Sequence, residues 1–119
     1  MFNKKTFCID IDNTICRTKN NFYKYSKPIK KNIKFINNLY KKGHTIIFFT
    51  ARGMSKYKGN KKKIHKVYYE FTRDQLIFWG VKFHKLILCK PSFDIVIDDK
   101  SIFFKKNWTK EIDNLLKKL

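Results

Sequence analysis

Four short apolar runs in this chain each lead into a residue that carries chemistry, and helical patterns separate them. The runs cover residues 5–11, 45–50, 81–88 and 94–97. The first carries Asp10 and leads into Asp12 within CIDIDNTIC, and the second ends on Thr50 in TIIFFT. Lys90 follows the third, and the fourth runs straight into Asp98 and Asp99 in IVIDD. Runs this short and this apolar read as buried strands rather than amphipathic helices. Between them, Ile29, Ile33, Ile36, Leu39 and Tyr40 recur at helical spacing, with Pro28 placed to open the helix and Gly43 to stop it. Ile64, Val67, Tyr68, Phe71 and Phe78 mark a second helix over 61–79, closed by Gly80, and a terminal helix is expected over 107–119. Strands that alternate with helices predict an α/β fold: a parallel sheet with helices on both faces, in three layers. Ligands of such sheets bind beyond the carboxyl ends of the strands, which is where this chain places its acids, Thr50 and Lys90.

The acids are the informative residues because they are scarce. The 119-residue chain, short enough to be read as one domain over 1–119, has 9 Asp and Glu against 28 Lys and Arg. Four of those acids, Asp10, Asp12, Asp98 and Asp99, sit at strand ends. Like charges brought together raise each other's pKa unless a cation lies between them. A hard divalent ion, Mg2+, suits oxygen-only ligands that leave room for water. Thr50, with the backbone N–H groups of Ala51 and Arg52 beside it, and Lys90 supply what a phosphoryl group needs. The metal and Lys90 would neutralise its oxygens while one carboxylate attacks phosphorus.

These residues resemble the haloacid dehalogenase (HAD) superfamily of Mg2+-dependent aspartyl-phosphate phosphatases. DIDNT (Asp10, Asp12, Thr14) is similar to its first motif, FFTARG with Thr50 to its second, Lys90 to its third and IVIDD to its fourth. The order fits, and the resemblance covers essentially the whole chain. It implies a Rossmann-like, HAD-like fold with little or no cap domain, since no insertion is long enough for one. It also implies roles for individual residues. Asp10 is the nucleophile, and Asp12 is the acid and then the base. Asp10, the Asp12 carbonyl and Asp99 hold Mg2+, with Asp98 supporting them, and Thr50 and Lys90 bind phosphate. Asn13 stands where the family usually has Gly, and Asn tolerates left-handed backbone. A narrower resemblance, over FTARG and DQLIFWGVKFHKLILCKPSFDIVIDDKS, is to small phosphatase-like proteins of capsule and surface-polysaccharide synthesis. The substrate it implies is a small phosphorylated metabolite such as a sugar phosphate.

The charge of +19 supports an alternative, a polynucleotide end phosphatase with an open site for a large anion. Against it, only three of the 28 basic residues are Arg, the side chain that reads bases and clamps phosphates bidentately. An alternative of another class is a non-enzymatic phosphoacceptor or binding module. The order of the motifs, with the acid pair last, disfavours a receiver-type switch. Cys8, Cys16 and Cys89 lack metal-type spacing and read as reduced thiols, which points to the cytoplasm; Cys8 and Cys89, in or beside apolar runs, are expected to be buried. No run approaches the length of a membrane span, so no membrane partner is expected. His44, His65 and His84 share no spacing and are read as core or surface residues. Assembly into a homo-oligomer would cover an otherwise open mouth.

Overall fold

TIIFF becomes the central strand of a three-stranded sheet, because its β-branched and aromatic side chains find a parallel partner on each edge. The computed structural model describes residues 3–118. In chain order the strands are β1 (Thr6–Ile9), β2 (Cys16–Arg17), β3 (Lys27–Pro28), β4 (Thr45–Phe49) and β5 (Lys85–Ile87). The helices are α1 (Lys30–Lys41), α2 (Lys61–Phe78) and α3 (Trp108–Lys118). The sheet order is β1-β4-β5, all parallel, with Ile9 beside Phe48 and Phe48 beside Leu86. β2 and β3 form a separate antiparallel ribbon. The residues fall into two compact units, Lys4–Ser92 and a smaller one of residues 93–118 with Asn3.

Within Lys4–Ser92, α1 and α2 lie on one face of the sheet. Both crossovers step in the same direction, from β1 to β4 to β5. Right-handed connections that step the same way put α1 and α2 on the same face. Burial follows that rule. Ile9, Ile46, Phe48 and Leu86 point to the helix side and are buried, whereas Cys8 and Ile87 on the opposite side are exposed. Cys8 is therefore a surface thiol, not a core one, and Cys89 is half-buried.

The expected third and fourth strands also change. Only Lys85–Ile87 of the third run joins the sheet. The Val81 N–H instead closes α2 on the Leu76 carbonyl, and the Lys82 N–H bonds Asn37 Oδ1. Residues 94–97 form no strand: Ile95 is 80% and Ile97 is 95% exposed. A β-branched run becomes a strand only where a neighbouring edge offers its backbone groups. In the smaller unit α3 buries Trp108, Thr109 and Ile112, and Lys105 pairs with Glu111 at 2.9 Å. Pro28 does not open α1 but pairs with Cys16 in the ribbon, and the helix begins two residues later. Asn60 caps α2 by accepting the Lys63 N–H at 3.2 Å.

A histidine locks the start of the sheet. His44 is buried, and its Nδ1 accepts the Lys5 N–H at 3.0 Å, while the Thr45 N–H returns to the Lys5 carbonyl. Burial, reinforced by the charges of Lys42 and Lys5, lowers its pKa. The folded state therefore binds its proton less readily than the unfolded chain, whose histidine titrates near 6.5. The stability that neutral His44 contributes is complete above that value and is lost as pH falls through it. Chemical-denaturation midpoints should decline between pH 7.5 and 5.5, and the decline should shrink in His44→Gln. An equal decline in both proteins would reject this origin.

Candidate active site

The carboxyl end of β1 turns sharply, and the turn aims two carboxylates. The Ile11 carbonyl accepts the N–H groups of Thr14 and Ile15, at 3.1 and 3.0 Å. Asn13 takes up the left-handed backbone this demands, with φ +64, and its Oδ1 accepts the Thr18 N–H at 3.1 Å. Ile11, Ile15 and Cys16 are fully buried beneath the turn. The apolar residues of CIDIDNTIC anchor the loop while its polar ones face the site.

Asp10 stands between a cation and a hydroxyl. Lys90 Nζ donates to its Oδ1 at 2.8 Å, and Thr14 Oγ donates to its Oδ2 at 3.2 Å. The Asp10 side chain is 40% exposed, so the carboxylate remains open to a substrate. Lys90 is placed by the end of the sheet: its N–H bonds the Thr50 carbonyl, and the Thr50 N–H bonds the Ile87 carbonyl. Its ammonium also lies 5.9 Å from the centre of the Phe49 ring.

Asp12 is held far more firmly. Arg52 donates to it through both edges of its fork, Nε to Oδ2 and Nη2 to Oδ1, each at 2.9 Å. Thr18 Oγ donates to Oδ1 at 2.6 Å. Since that hydroxyl gives its proton to Asp12, the 2.6 Å contact between Thr18 and Ser26 has Ser26 as donor. The Cys16 Sγ approaches Oδ1 at 3.7 Å. Burial, with the Asp12 charge adding to it, pushes that thiol up, so Cys16 stays protonated as a weak donor.

The Arg52 side chain is fully buried. Its Nη1 donates to Gln75 Oε1 at 2.7 Å and to Thr72 Oγ at 3.3 Å, both on α2. The Tyr23 ring covers the guanidinium, its centre 4.7 Å from Cζ. Burial first, then the charge of Asp12, raises the Tyr23 pKa and keeps its hydroxyl protonated. Gln75 Nε2 completes the frame by donating to the Tyr23 carbonyl at 2.8 Å. Gly53 follows with φ +84, where an added Cβ would lie 2.6 Å from the Tyr68 ring, so no side chain fits there.

The structure thus gathers Asp10, Asp12, Asn13, Thr14, Arg52 and Lys90 at the carboxyl end of the sheet, with Thr50 beneath them. Arg52 adds to the sequence expectation. Its guanidinium bonds Asp12, Thr72 and Gln75, so beyond the backbone N–H named above its side chain positions a carboxylate. Thr50 is buried, and its Oγ accepts the Arg52 N–H at 3.2 Å, which fixes the loop through Ala51. Asp98 and Asp99 belong to the smaller unit and are exposed; Asp98 Oδ1 caps a turn by accepting the Lys100 N–H at 2.9 Å. Sequence reasoning missed Thr18, Thr72 and Gln75. A signal existed, for Thr72 and Gln75 are polar positions three apart on the otherwise apolar stripe of a helix.

Among the described residues no three or more His, Cys, Asp or Glu side chains form a metal-type cluster. The donors that are present are hard oxygens, the type Mg2+ takes while keeping several waters. Asp10 offers a half-open carboxylate. The side chain of Asp12 is committed to Arg52 and Thr18, which leaves its main-chain carbonyl as its donor to a metal.

A parallel sheet with helices makes the chain an α/β protein, and its carboxylate pair lies at the strand ends. No family model and no curated protein matches the chain. A crystal structure of a structural-genomics target from Vibrio cholerae does, with a TM-score of 0.79 and 24% identity. The match covers 96% of this chain and 98% of that one, and it shows a shared fold.

Removing one partner of a buried ion pair costs about 3–5 kcal/mol. Asp12 keeps 20% of its side-chain surface exposed, so Arg52→Met should cost nearer the lower end, about 3 kcal/mol, in urea denaturation. Adding Asp12→Asn should recover part of that loss. Strictly additive effects would show that the two side chains do not depend on each other.

Proposed function

We propose that this protein is a Mg2+-dependent phosphomonoester hydrolase of HAD type, working through an aspartyl-phosphate on Asp10. The observation that carries the reading is the unequal treatment of the two carboxylates. Asp10 is left half open between Lys90 and Thr14, as a nucleophile must be. Asp12, two residues on, is fixed in one orientation by Arg52 and Thr18, which orients it as the base toward water. The strand-end location and the motif order support the same assignment.

In this reading an Asp10 oxygen attacks phosphorus and the bond from phosphorus to the leaving oxygen breaks. Asp12, once it has taken up a proton in exchange for one of the hydrogen bonds it accepts from Arg52 and Thr18, gives that proton to the leaving oxygen, releasing an alcohol. Water then attacks the phosphorus of the aspartyl-phosphate, Asp12 takes its proton, and inorganic phosphate leaves with Asp10 restored. Lys90 offsets negative charge beside the nucleophile. Asp10 and the Asp12 carbonyl would hold Mg2+, which when bound neutralises charge on the phosphoryl oxygens. The narrower resemblance points to a sugar phosphate as substrate, and the charge points to a polynucleotide end.

The test is phosphate release from a panel of phosphomonoesters, with Mg2+ and with a chelator. Release should need the metal, fall to background in Asp10→Asn, and drop by about 10²–10⁴-fold in Asp12→Asn. Undiminished turnover in Asp10→Asn would sink the assigned nucleophile.

A further inference from the structure

Arg17 and Lys27 are direct cross-strand partners in the short ribbon of β2 and β3, and both are exposed. Partners of this kind project to the same side of a ribbon, and like charges so placed repel. No acid lies nearby in the chain, for none occurs between Asp12 and Glu70. An anion seated between the two side chains would remove the repulsion.

The same two residues line a groove of about 410 Å³ together with Thr18, Lys19, Phe22 and Tyr25. Phe22 is 60% and Tyr25 is 73% exposed, a large apolar exposure for neighbours in one turn. Flat rings beside cations are what a nucleotide unit needs: a face on which to stack its base and charges for its phosphate. Thr18 ties the groove to the site, since its hydroxyl also donates to Asp12 at 2.6 Å.

We infer that this groove binds a nucleotide unit, its base stacked on Tyr25 or Phe22 and its phosphate oxygens between Arg17 and Lys27. The groove borders the carboxylate assigned to protonate the leaving oxygen. If the phosphatase reading holds, the occupant is the leaving group of the substrate, a nucleotide that keeps a phosphate of its own or the end of a single strand. The shared chemistry is a base with a phosphate, and the experiment separates the two sources.

Fluorescence anisotropy of a labelled single-stranded octanucleotide, measured on the full chain without Mg2+, reads binding alone. Tyr25→Ala should weaken it roughly tenfold, the loss of one stacked base, and Tyr25→Phe should restore it. Replacing Arg17 and Lys27 together by Gln should lower the slope of log affinity against log salt by roughly 1 to 1.5. Lys41→Gln with Lys42→Gln, at the far end of α1, is the charge control. Competition by a nucleoside monophosphate at matching concentrations assigns the groove to free nucleotides, and failure to compete assigns it to strands. Equal losses in the two double variants, or equal binding of an abasic strand, would overturn the inference by reducing the effect to net charge. Because no turnover is measured, a negative result here leaves the phosphate-release test of Asp10 standing.

Discussion

The buried fork between Arg52 and Asp12 organises the site. A guanidinium taken wholly out of water is costly unless nearly every donor is matched. Here Asp12 takes two of its hydrogen bonds, Thr72 and Gln75 take two more, and Tyr23 covers its face. These partners come from the turn after β1, from α2 and from the segment before β3. One side chain therefore ties three separate stretches of chain to the same carboxylate. The surrounding choices follow from it. Gly53 must lack a side chain because the loop carrying Arg52 presses against Tyr68, and Thr50 uses its hydroxyl to hold the Arg52 N–H.

The fork also separates the chemistry of two otherwise similar acids. Asp10 and Asp12 leave the same strand end, yet their neighbours differ in kind. A flexible ammonium and a hydroxyl reach Asp10 and leave much of it open, whereas a rigid planar fork holds Asp12. Lys suits the first position because a compact charge on a flexible stem meets a carboxylate without enclosing it. Arg suits the second because its geometry fixes orientation. Few acids elsewhere compete for these cations, so an acid-poor composition serves the site even where most of its lysines face only solvent.

Much of the scaffold could be read from the sequence. The helix stop at Gly43 and the apolar stripe of α1 are local matters of periodicity and capping, and they appear where expected. The turn through Asn13 was legible for the same reason, since Asn is one of the few side-chain-bearing residues at ease with left-handed backbone. The role of Arg52 was not. Its partners lie 40 residues before it and 20 and 23 after it, and nothing local distinguishes it from a surface charge. Exposed Cys8 was misjudged because an apolar strand does not announce which of its faces α1 and α2 pack on.

The sequence by itself determined the alternation of strands and helices, the strand-end position of Asp10 and Asp12, and the turn that presents them. All three depend on periods and hydrogen bonds that close within a few residues. Tertiary structure decided that α1 and α2 share one face and that the Arg52 guanidinium serves Asp12, Thr72 and Gln75. Those outcomes depend on which backbone edge or buried charge comes within reach once the chain is packed, and a hydrogen bond spanning 40 residues leaves no periodic trace in the sequence.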